Sequence, residues 1–191
     1  DHFENSPMDL SKGIGAGPYS LPYRWRPMEW EYKGKKYIHE RATSTQQTGF
    51  SFVAQSRGWL PDPIGGILWF GVDDTYMTVY IPMYCGIQKA PTAFAEGAGT
   101  LHRFSWNSAF WVFTSVANYA YSRYSDMIQD IRKVQLGFES EFLARVKEID
   151  AAALKLYQES PESARRFLTD YSTGQAERVM ARWRLLLEEL I

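Results

Sequence analysis

The chain has 191 residues, a formal net charge of −1 from 21 basic and 22 acidic side chains, and 16% aromatic residues. Charge so evenly balanced leaves no basic stripe of the kind that phosphate contacts require, which excludes nucleic acid as a partner, and no apolar run reaches the roughly 18 residues of a membrane-spanning helix. A single cysteine excludes an internal disulfide framework, while a length that buries about 70% of the unfolded surface suits one domain over residues 1–191.

Residues 1–30 are irregular and rich in glycine, proline and aromatics (GIGAGPYSLPYRWRPMEW). Stretches of this length without periodicity either wrap their own domain or line a cleft. The opening DHFENSPMDLSKG is polar and carries no signal-peptide pattern, so the compartment stays open: bacterial cytoplasm, periplasm or secreted, according to any signal upstream.

Residues 30–86 read as strands. Trp30–Tyr32 and Lys36–His39 flank Lys33-Gly34-Lys35, which predicts a hairpin. Phe50–Gln55 alternates, with Phe50, Phe52 and Ala54 on one face and Ser51, Val53 and Gln55 on the other. Ile67–Val72 is continuously apolar, the pattern of a strand covered on both faces. Asp73-Asp74-Thr75 supplies turn chemistry. Tyr76–Cys85 then returns with period two and sets Met77, Val79, Ile81, Met83 and Cys85 on one apolar face; Pro82 marks an edge or a bulge. A loop of small residues fills 88–100.

Residues 105–191 read as four helices. The first is expected from about Trp106 to Gln135 with Ser105 as its N-cap, and its half AFWVFTSVANYAY is apolar almost all round. The second covers about Phe138–Gln158. Ser160-Pro161-Glu162 starts a third, and Ser172 with Gln175 resembles a capping box that opens a fourth, ending at Leu190. Strands followed by helices, without βαβ alternation, predict an α+β fold: an antiparallel sheet with helices packed on it.

The residues offer several candidate chemistries. Cys85, on its apolar face and without a charged neighbour in sequence, reads as a buried, inert thiol. His2, His39 and His102 lack metal-ligand spacing, so no metal and no cofactor is expected. Asp73 and Asp74 read as turn residues bonded to nearby backbone. Arg57 ends a strand and is a candidate to grip a carboxylate with its guanidinium fork. Asn107, ahead of the buried helix, is a candidate hydrogen-bond donor to an oxyanion, and Gln47, with Gln46, precedes the strand that Arg57 closes. Each has a plain structural reading beside it: an ordinary surface or ion-pairing arginine for Arg57, capping for Asn107, and the same ambiguity as Arg57 for Gln47.

The strings YIHERATSTQQTGFSFVAQSR, GGILWFGVDD, FSWNSAFW and ANYAYSRYSDMIQDIRKVQ, with DHFE and KGIGAGP before them, resemble the C-terminal half of the C69 family dipeptidases over about 70% of the chain. These are cysteine-dependent N-terminal-nucleophile (Ntn) hydrolases. The resemblance implies a share in an αββα sandwich and a peptide-bond hydrolase in which an N-terminal cysteine attacks the carbonyl and its own α-amino group acts as base. No catalytic residue transfers to a position here. Because the sequence starts at Asp1, the expectation is the C-terminal part of such an enzyme. It would be inactive alone, partnered by the N-terminal half of the same polypeptide, and would contact dipeptide in the intact enzyme. An exposed apolar sheet face open to self-association is expected with it. Two other readings stand beside it. A peptide- or sugar-binding module predicts clustered exposed Trp25, Trp30 and Trp59, and a thiol enzyme built on Cys85 predicts its rapid alkylation in the native state.

Overall fold

The computed structural model describes positions 5, 6, 9, 11 and 12 and residues 16–22, 29–38 and 44–191. His2, His39, Trp25 and most of the GIGAG segment lie outside the described residues, as does the side chain of Trp30.

Strands β1 (Glu29–Tyr32) and β2 (Lys35–Ile38) form the expected hairpin. Its two loop residues, Lys33 and Gly34, both adopt positive φ (51° and 71°), the geometry whose twist matches that of the flanking strands. A three-stranded antiparallel sheet follows, ordered β3 (Phe50–Ser56), β4 (Gly66–Val72), β5 (Ile81–Tyr84). Gly66 and Gly71 in β4 have no room for a side chain: a Cβ would come within 2.8 Å of Cys85 Sγ and 2.6 Å of Thr78 Cγ2 respectively. Strand β5 is shorter than the alternation of 76–85 suggests. Residues 76–80 stay outside the ladder although Met77 and Val79 are buried, and Pro82, opposite Trp69, lies on an edge strand as its missing N–H requires. Cys85, expected to be buried, is exposed; the strand has ended at Tyr84, so the period-two face no longer governs it.

The helices are fewer and longer than their capping signals suggest. After a four-residue turn α1 (Asp62–Gly65), they are α2 (Ala109–Ala120), α3 (Tyr124–Glu159) and α4 (Pro161–Leu190). The first predicted helix breaks at 121–123, where Arg123 leaves helical geometry and α3 begins by donating the Ser125 N–H to the Tyr19 carbonyl. The break expected near Gly137 is absent, and α3 runs unbroken for 36 residues, about 54 Å. Ser160 separates α3 from α4, with Pro161 at the first helical position as read.

The apparent capping box at Ser172 lies in the middle of α4. Its hydroxyl accepts the Tyr84 N–H (3.2 Å), and Thr169 Oγ1 accepts the Gln88 N–H (3.0 Å). These hydroxyls give strand β5 and the turn after it the acceptors that a fourth strand would otherwise supply, so α4 covers that edge of the sheet. The core lies where α4 meets α2, α3 and β5, with Trp183 fully buried and stacked on Phe113 at 4.9 Å. The opposite edge, β3, leaves Phe50, Phe52 and Val53 more than half exposed. The architecture is mixed α+β, with antiparallel sheets and packed helices.

Candidate functional site

The most constrained polar cluster sits where β4 ends. Asp73 turns the chain at φ 67° and anchors the turn by donating its N–H to the Gly49 carbonyl (2.9 Å). Both carboxylates then point inward. Asp73 is 5% exposed and accepts the Thr114 hydroxyl of α2 (2.8 Å). Asp74, fully buried, accepts three donors: the Ser44 hydroxyl (2.9 Å), the Tyr76 N–H (2.9 Å) and the Tyr121 hydroxyl at the end of α2. Tyr121 stacks on Tyr124, the first residue of α3 (5.9 Å between centroids). The helix break at 121–123 therefore sets a phenol against Asp74. Beneath the pair, Thr78 Oγ1 accepts the Val72 N–H (3.1 Å), and its methyl fills the space that Gly71 leaves.

Burial dominates the electrostatics of this cluster. It raises the Asp73 carboxyl to about 6, an effect only partly offset by hydrogen bonds from Asp74 and Thr114. It also raises the Tyr121 phenol, with the Asp74 charge adding to the shift. Asp73 thus holds or releases a proton near neutral pH, the property asked of a general acid or base, whereas Asp74 spends its oxygens on three donors and organises the cluster. A cavity of about 240 Å³ adjoins, with Tyr76 and Tyr124 on its wall beside Asp9, Ser11, Ser20 and Ser125. Asp9 accepts from the hydroxyl and N–H of Ser11 and the N–H of Asn5, contacts that hold its carboxyl well below the usual range.

The three residues singled out from the sequence lie apart from one another. Arg57 is buried (6% exposed) and turned inward: its guanidinium pairs with Asp150 of α3 and donates to the Ile64 and Gly65 carbonyls (2.6 and 3.3 Å). Tyr84 donates to the other Asp150 oxygen (2.8 Å), so this arginine staples the turn 57–65 to β5 and α3. Gln47 is exposed in a turn closed by the Thr48 N–H on the Thr45 carbonyl (3.1 Å), on the segment that brings Ser44 to Asp74. The length of β3, about 23 Å for seven residues, separates it from Arg57. Asn107 is exposed just before α2, its N–H donated to Ser105 Oγ (3.2 Å), on a separate cavity beside Arg184 of α4.

The turn reading of Asp73 and Asp74 captured the Tyr76 contact alone. Ser44, Thr114 and Tyr121 lie 30, 41 and 47 residues from their partners. The available signal was an apolar strand ending in two acids, followed by an apolar helix that still carries a threonine and a tyrosine. Cys85 donates its N–H to the Gly66 carbonyl (2.9 Å), and its sulfur has no hydrogen-bond partner among the described residues. Nor do the described residues hold a cluster of three or more metal-ligating side chains.

Among known families, the profile of the Peptidase family C69 matches residues 1–137. No curated protein matches the chain.

Proposed function

From the premise that this chain belongs to peptidase family C69, whose profile covers 137 of its 191 residues, we propose that it serves peptide-bond hydrolysis, with dipeptides as substrate. The family match carries the reading. The attacking thiol is not Cys85, whose exposed sulfur is hydrogen-bonded to no base among the described residues, while a cysteine nucleophile needs a neighbouring group to take its proton. The thiol and its α-amino base come instead from an N-terminal segment of the same polypeptide, and the described residues supply scaffold and substrate walls. The Asp73–Asp74 cluster, tied to Ser44, Thr114 and Tyr121, is the part of that scaffold with the burial and proton affinity of an active-site support. The test is hydrolysis of a dipeptide panel by residues 1–191 alone and joined to an upstream segment that begins with cysteine. Turnover is expected only from the joined chain and is unchanged by Cys85→Ser. Turnover by residues 1–191 alone that Cys85→Ser abolishes would overturn the assignment of the thiol.

A further inference from the structure

A second site lies at the other end of α2. There the loop 96–100 folds back over the first helical turn, and Glu96, Gly97, Gly99 and Thr100 border an open cavity of about 540 Å³ with Leu101, Ser108, Phe110 and Trp111. Gly97 turns at φ 88°. Gly99 approaches so closely that a Cβ would lie 2.9 Å from Ser108 Cβ and 3.2 Å from Ser108 Oγ, which places that hydroxyl on the side of Ser108 facing the loop and the cavity. The wall is aromatic and braced. Trp111 donates its indole N–H to the Thr100 carbonyl (2.8 Å) and packs against Phe104 and Phe110 at 5.7 and 5.6 Å.

The helix end of this cavity presents donors that no described residue accepts. Ser108 is the N-cap of α2 and only 7% exposed, yet its hydroxyl makes no capping bond and has no hydrogen-bond partner among the described residues. The first helical bond runs from the Val112 N–H to the Ser108 carbonyl (3.1 Å). The N–H groups of Ala109, Phe110 and Trp111 therefore have no acceptor among the described residues, and the first turn carries no acidic side chain to neutralise its end of the helix dipole. A half-buried anion with two oxygens fits those donors. The apolar wall beside them calls for an apolar group on the same ligand. Glu96, exposed at the rim, is the one charged residue lining the cavity, and it favours a ligand that also carries a positive charge.

We propose that this cavity binds an apolar α-amino acid. Its carboxylate accepts from the α2 N–H groups and the Ser108 hydroxyl, its side chain lies along Leu101, Phe110 and Trp111, and its ammonium faces Glu96. The assignment does not depend on the dipeptidase reading, and it is tested without turnover, so the two fail separately. L-Phenylalanine and L-phenylalaninamide, titrated into the ¹⁵N-labelled chain, differ in the carboxylate alone. The free acid is expected to move the amide resonances of Gly99, Phe110 and Trp111, and the amide to leave them in place. Ser108→Ala is expected to weaken phenylalanine binding about tenfold or more, the loss of one hydrogen bond to a charged group. Because that hydroxyl caps nothing, the variant is expected to keep the wild-type Tm. Equal shifts from both ligands, shifts confined to other residues, or wild-type affinity in Ser108→Ala would overturn the proposal.

Discussion

At the scale of single residues, the informative groups are those whose partners lie far away in sequence. Asp73 is the sharpest case, a carboxylate whose desolvation outweighs the hydrogen bonds that soften it. Its carboxyl rises from an ordinary 3.8 to about 6, so the folded chain holds the proton more tightly than the unfolded one. That contribution to stability is complete below pH 3.8 and is lost as pH rises through about 6. Above that, the ionised Asp73 lowers stability by up to about 3 kcal/mol relative to the protonated form. Asp73→Asn keeps an acceptor for Thr114 and suits the positive φ, which asparagine tolerates well. Urea denaturation is expected to show the variant more stable than wild type by about 1–3 kcal/mol at pH 8, with that advantage shrinking steadily toward pH 4. An advantage independent of pH would mean that the carboxyl is not raised. None of this was readable from adjacent residues: Asp-Asp-Thr is good turn chemistry, and the turn is there, but the burial comes from α2 and the 44–48 turn closing over it. Arg57 carries the same lesson. A strand-ending arginine advertises a free fork, and the fork is filled by Asp150, 93 residues away.

At the scale of elements, periodicity located the strands and the helical half, and tertiary contacts decided which of the local boundary signals became real ends. Pro161 at the first helical position and the Lys33-Gly34 loop act as their backbone chemistry predicts, whereas Ser160 marks the start of α4 without a side-chain capping bond. Gly137 and Gly174 sit inside helices although each costs about 1 kcal/mol there; packing of the α3–α4 hairpin offsets that local preference. Ser172 is the clearest override. Its hydroxyl serves the sheet, accepting the Tyr84 N–H beside a buried core. Ser172→Ala should therefore leave helix content by circular dichroism unchanged, against the loss expected if the residue capped a helix. It should still cost about 1–3 kcal/mol in thermal or urea unfolding, because a buried strand N–H loses its acceptor. A fall in helicity without that stability loss would restore the capping reading.

At the scale of the whole molecule, the sheet is asymmetric. Helix α4 shields the β5 edge with the hydroxyls of Ser172 and Thr169, whereas β3 pairs with β4 alone among the described residues. Strand β3 reads FSFVAQS, with no charge, no proline and three large apolar side chains exposed, Phe50 at 61%, Phe52 at 55% and Val53 at 56%. The stacking of Phe50 on Phe70 (5.8 Å) extends that apolar surface onto β4. Natural edge strands are usually protected by a lysine, a proline or a bulge, and this one has none of these over its seven residues. The alternation of Phe50–Gln55 announced the strand and its two faces; that both remain uncovered depends on what packs beside β3, which no local pattern encodes. An edge of this kind should drive concentration-dependent association. Sedimentation velocity on the 191-residue chain is expected to show species heavier than the monomer that grow with concentration. Val53→Lys, which places one charge in the middle of the edge opposite Trp69, is expected to shift the population to monomer without lowering Tm by more than a few degrees, since Val53 is already half in water. Association that persists unchanged in Val53→Lys would move the contact elsewhere, and a wild-type chain that stays monomeric at high concentration would mean the β3 edge is covered in solution.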